Sequence, residues 1–158
     1  MWEDSAHAYH VACVWQDGPV IKLVDYDKPP GDPAQRLQVI QQMWAHAQYC
    51  MSGDSTVAAT QNAIAEVANH DADDRYVFLV SDANLRRYGI APEELGCVLT
   101  SDARVNAFAI FIAGGSEAAR VAQALPFGRG VVCADTARLP AALKELFSAV
   151  SAESALAP

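Results

Sequence analysis

Residues 76–82 read Tyr76-Val77-Phe78-Leu79-Val80-Ser81-Asp82, five apolar side chains in a row followed by a hydroxyl and a carboxylate. A half-exposed strand alternates, whereas a strand apolar on both faces belongs to a parallel sheet covered by helices. Asn106-Ala107-Phe108-Ala109-Ile110-Phe111-Ile112 and Gly130-Val131-Val132-Cys133-Ala134 repeat that character downstream. The intervals between them supply the helices, a short one at 92–98, one at 116–125 and one at 140–150. In the last, Leu143, Leu146, Phe147 and Val150 form the apolar stripe, and Pro140 suits a first helical position. Residues 151–158 are expected to form a loose tail.

Upstream of this segment the pattern changes twice. Residues 9–15 and 20–24 are strand-like and flank the turn Gln16-Asp17-Gly18-Pro19, which reads as a hairpin. Three prolines in 27–33 then stop any ladder. From Ala34, Leu37, Ile40, Trp44, Ala47 and Met51 recur every three or four residues, one stripe of a helix. Ser52-Gly53-Asp54-Ser55-Thr56 interrupts it. A second helix follows, with Val57, Gln61, Ile64, Val67 and Ala68 along one side and Asp54 or Ser55 as its N-cap. The expected architecture is one three-layer α/β domain over residues 1–150, with a mostly parallel sheet edged by the antiparallel hairpin.

Composition narrows the function classes. Nineteen Asp and Glu against eleven Lys and Arg give a net charge of −8 over 158 residues, which disfavours nucleic acid and anionic membrane surfaces. The longest apolar run, residues 107–113, is far short of the roughly 20 residues that span a bilayer. No signal or transit segment opens the chain. Cys13, Cys50, Cys97 and Cys133 lack metal-ligand spacing and read as reduced core thiols.

In an open parallel sheet, ligands bind beyond the carboxyl ends of the strands. That rule selects Asp82, the Gly114-Gly115-Ser116 turn, and Asp135 with Thr136. Asp82 either ligates a hard cation with hydroxyls and waters, or caps the turn through its own backbone. Ser52-Gly53-Asp54-Ser55-Thr56 offers three side-chain oxygens at a helix start, where N-capping is the simpler use. The glycine turn lacks the spacing of a phosphate loop and reads as a tight turn. His7, His10, His46 and His70 precede the first parallel strand, and Ser81 has no G-x-S-x-G elbow, so no nucleophile and base are paired by sequence.

The order of hairpin, helix, Gly-Asp-Ser-Thr helix, strand-Ser-Asp, strand and strand resembles the von Willebrand factor A domain. Residues 50–56, 80–85, 87–90 and 105–112 carry the resemblance, as do Ala124-Leu125-Pro126, Gly128-Arg129 and Asp135-Thr136. It runs from about Tyr9 to Val150 and is to such a domain at the C-terminus of large mitochondrial AAA+ ATPases. It implies a protein-interaction module with a metal-ion-dependent adhesion site, where Mg²⁺ completes its shell with a carboxylate from a protein partner. Asp82 matches the third ligand loop, and Asp54 or Thr56 matches the second. The first, D-x-S-x-S, occurs nowhere in the chain, whose similarity starts at the family's second strand. In the family's strand order, 3-2-1-4-5-6, the missing strand is central. Strands 9–15 and 76–80 must therefore pair directly or leave backbone groups unpaired, at about 1–3 kcal/mol each if buried. The expectation is a weakened sheet, a remnant site at Asp82, Asp54 and Thr56, and no metal bound by this chain alone. No P-loop is present, so any ATPase activity belongs to other sequence. The rival readings are a small metal-dependent hydrolase using Asp82 with Asp135, and a chain that is stable only when a partner donates the missing strand.

Overall fold

The computed structural model describes residues 11–13, 21–25, 28–49 and 55–154. The chain divides into two compact units, Met1–Ala59 and Thr60–Pro158.

In the first unit, β1 (Val11–Cys13) and β2 (Ile21–Val24) pair antiparallel, as the turn between them predicts. Among the described residues they form a two-stranded sheet of their own. The pairing with the edge of the parallel sheet that the sequence led us to expect is not seen among the described residues. Turn chemistry specifies which strands form a hairpin, but nothing local specifies which further strand its outer edge meets. α1 (Pro33–Tyr49) follows the prolines. Its start is capped reciprocally: Gln35 donates its amide N–H to Asp32 Oδ1 (2.9 Å), and Gly31 donates to Gln35 Oε1 (2.8 Å).

α2 (Thr56–Ala68) spans the boundary between the units. Its buried row is Thr56, Thr60, Ile64 and Ala68, whereas Gln61, expected on that side, is exposed. The two threonines fill places where the sequence pattern put Val57 and Gln61.

The second unit carries the sheet read from the opening stretch. β3 (Tyr76–Ser81), β4 (Asn106–Phe111) and β5 (Gly130–Val132) are parallel, in the order β3-β4-β5. Tyr76 lies opposite Asn106, and Ala109 opposite Gly130. The central strand is buried on both faces. Ala107, Ala109 and Phe111 join one core with Leu95 and Leu99 of α3 (Pro92–Leu99), Ala118 and Val121 of α4 (Ser116–Ala124), and Ile64 of α2. On the other face, Phe108 stacks with Phe78, and Phe147 of α5 (Leu139–Ser154) meets Tyr76 and Phe78 at 4.7 and 5.0 Å between ring centroids. This is the expected three-layer arrangement of helices, sheet and helix. α5 continues through Ser154, into the stretch expected to be a tail.

Among the described strands, β3 has one neighbour, β4. Direct pairing of the hairpin with β3 is not seen, although residues 9, 10, 14 and 15 of the expected strand lie outside the described residues. The carbonyls of Arg75 and Ser81 accept bonds from the β4 side, so by alternation Phe78 and Val80 turn their backbone groups to the open side. Val80 is 48% exposed.

Candidate functional site

The loops after the three parallel strands lie side by side, because the ladder continues one rung past each assigned end. Ile112 donates to the Ser81 carbonyl and Cys133 to the Phe111 carbonyl, both at 2.8 Å. Asp82, the glycine turn and Asp135 therefore follow one another along the carboxyl end of the sheet, where the sequence placed them.

The chain winds tightly after β3. Ser81 Oγ accepts the amide of Ala83 (3.2 Å), and Asp82 Oδ1 accepts the amide of Asn84 (3.0 Å). Between them Ala83 takes φ 63°, a left-handed conformation that disfavours any residue with a Cβ, while 2% exposed. Its burial and the two side-chain acceptors hold it there. A 3-10 helix, Leu85–Tyr88, continues the turn and ends on Gly89 at φ 73°, where a left-handed residue is favourable. Asp82 thus makes the backbone-capping bond that was one of its two sequence readings.

Asp135 behaves in the same way. It precedes a second 3-10 helix, Thr136–Arg138, and its Oδ1 accepts the amide of Ala137 (3.0 Å). Beside it, the thiol of buried Cys133 donates to the Asp135 carbonyl, so this cysteine is the core thiol expected, whereas Cys97, read in the same way, is exposed. The glycine turn places Gly115 at φ 122° as the N-cap of α4, with no side-chain cap. In the first turn of α4, Glu117 binds Arg120 at 2.7 Å, which holds its carboxyl below the ordinary range.

Of the other sequence candidates, Thr56 is the first residue of α2 and is 8% exposed. Asp54 lies outside the described residues. Among the described residues, no three His, Cys, Asp or Glu side chains cluster as metal ligands. Among the described residues, the Asp82 and Asp135 carboxylates accept from the backbone amides of Asn84 and Ala137 and from no Ser, Cys or His side chain.

Sequence reasoning missed a cavity of about 340 Å³ beside this end, bounded by the first 3-10 helix, α3 and α4. Leu85, Ile90 and Val121 line it, with Arg86 and Arg120 at its wall. Arg120 is already neutralised by Glu117. The only sequence signal for it was Gly89, whose left-handed turn brings Ile90 back so that its amide reaches the Leu85 carbonyl.

No helix among the described residues is long and apolar enough to cross a membrane. No protein-family model matches the chain, and no solved structure matches it. Over 141 residues, 89% of its length, the chain is 44% identical to mouse von Willebrand factor A domain-containing protein 8, and it spans 7% of that protein. Nearly the whole chain is thus similar to one short segment of a much longer protein whose name carries the von Willebrand factor A domain.

Proposed function

We propose that this chain is a protein-interaction module, a partial von Willebrand factor A domain of the kind carried at the C-terminus of a mitochondrial AAA+ ATPase. Its metal-ion-dependent adhesion site is incomplete. The observation that carries this reading is Asp82, an exposed carboxylate at the carboxyl end of a parallel strand, capping its own loop rather than orienting a catalytic group. Similarity over 89% of the chain to a von Willebrand factor A domain-containing protein supports the same assignment. Asp82, Asp54 and Thr56 are the remaining ligand positions. Without D-x-S-x-S the site lacks one carboxylate and two hydroxyls, which leaves few protein ligands to offset the dehydration of so small a cation as Mg²⁺. A completed site would engage a partner's carboxylate.

Calorimetric titration of the 158-residue chain with MgCl₂ and MnCl₂ is expected to give no micromolar binding. Fusing a D-x-S-x-S strand upstream is expected to create Mg²⁺ affinity that Asp82→Ala removes. Micromolar affinity in the unfused chain, together with Mg²⁺-dependent phosphatase turnover, would replace the module with the hydrolase reading. Metal binding by the fused chain that survives Asp82→Ala would remove Asp82 from the site.

A further inference from the structure

The cavity beside the carboxyl end of the parallel sheet is built wholly from the second unit, by the first 3-10 helix, α3 and α4. Leu85 and Val121, each 1% exposed, give it an apolar lining together with Ile90 and Pro92. The chain shapes it by turning back on itself. Gly89, at φ 73°, donates its amide to the Arg86 carbonyl (3.2 Å), and Ile90 donates to the Leu85 carbonyl (3.1 Å). At about 340 Å³ the space is at the small end of sites that hold small molecules.

Charge narrows what fits. Two guanidinium groups line the cavity, Arg86 and Arg120, and they differ in their partners. Arg120 donates to both Glu117 oxygens, at 2.7 and 3.1 Å, and Glu93 adds a second negative charge near it. The Arg86 side chain makes no hydrogen bond or ion pair among the described residues, although its charge is felt at Glu117. The cavity therefore offers one uncommitted fork of donors beside an apolar lining. A guanidinium fork matches a carboxylate with two parallel hydrogen bonds. Glu93 and Glu117 at the margin oppose a doubly charged anion, which makes a phosphate ester the poorer fit. An extended peptide docks through backbone hydrogen bonds. Here the amides of Gly89 and Ile90 are already bonded within the turn, and Pro92 has none to give.

We infer that this cavity binds a small apolar monocarboxylic acid, its carboxylate held by Arg86 and its hydrocarbon body set against Leu85, Ile90 and Val121. One negative charge meets one guanidinium, and the rest of the ligand leaves water for an apolar lining. The inference does not rest on the adhesion-module reading, because Asp82, Asp54 and Thr56 do not line the cavity.

Titration of the isotope-labelled 158-residue chain with sodium octanoate, followed by amide chemical shifts in NMR spectra, tests it. The expected result is saturable shifts concentrated at Arg86, Gly89, Ile90 and Ala91, with an affinity of about 1 mM or tighter. Arg86→Met keeps an apolar stem, removes the fork, and is expected to weaken binding by about tenfold or more. Ala91→Phe fills the cavity from an exposed lining position and is expected to weaken binding in the same direction. Arg87→Met removes an equal charge outside the cavity, where the guanidinium lies over the Tyr88 ring, and is expected to leave the affinity unchanged. The amide spectrum away from the cavity reports that each variant is folded. Shifts that do not saturate, or that spread over the whole chain, overturn the inference. So does octanoate affinity that survives Arg86→Met, or octanol or octyl phosphate binding as tightly as octanoate.

Discussion

α4 was read from the interval between two strands and α1 from its apolar periodicity, and the two helices use their apolar sides in opposite ways. α4 turns Ala118 and Val121, each 1% exposed, into the core and leaves the Glu117–Arg120 pair outside. α1 leaves Leu37, Ile40 and Trp44 outside and sets glutamines toward its hairpin. The periodicity of a helix therefore states which side seeks a neighbour. It does not state whether the neighbour lies in the same chain.

The contrast breaks most visibly in the core that α4 covers. Phe111 is fully buried in β4, and Phe111→Ala is expected to lower the unfolding free energy by about 3–5 kcal/mol in urea titrations. A smaller loss is expected where α4 meets β5. A Cβ built on Gly130 would stand 2.9 Å from the Ala122 carbonyl oxygen and 3.0 Å from its Cα, both backbone of α4. Gly130→Ala is thus expected to cost about 1–3 kcal/mol by the same measurement. In α1, Leu37→Ala is expected to change monomer stability by less than about 0.5 kcal/mol. A loss as large as that at Phe111 would show that α1 is covered within the monomer and would erase the difference between the two helices.

The smallest effect belongs to the exposed loop before β4. Arg104 hydrogen-bonds Asp102 at 2.6 Å and holds its carboxyl down at about 2, from an ordinary 3.8. Because the folded-state value is depressed, the stabilisation is complete above the unfolded value and is lost as pH falls through about 2. An NMR titration of Asp102 should find the lowered value in the wild type and its return toward 3.8 in Arg104→Ala. The pair is open to solvent, so the shift should shrink in high salt.

The parallel sheet was legible because residues 76–80 and 106–112 are apolar without alternation, a pattern that only a doubly covered strand tolerates. Asp82 was legible as a loop residue for the same reason: the apolar run stops there. Its hydrogen bond was not, since a carboxylate that caps a turn and one that awaits a cation look identical in sequence. The left-handed Ala83 was invisible, because alanine gives no sign of positive φ and only the packing around it enforces the conformation. What the hairpin's outer edge meets was equally hidden. Strand character is written locally, whereas the partner across an open edge depends on the rest of the fold. The two threonines in the buried row of α2 were passed over because a polar side chain on an apolar face breaks the pattern that a hydrophobic count follows.

The order β3-β4-β5 also bears on how the sheet is made. Each strand pairs with the next one to emerge, and each crossing carries one α-helix, α3 and then α4. The loops to be closed are short, so the entropic barrier to assembly is low and the second unit is expected to fold quickly for a parallel sheet. During synthesis β3 waits only for β4, and β4 only for β5. The apolar strands with the greatest tendency to aggregate are therefore exposed for the shortest stretch of translation.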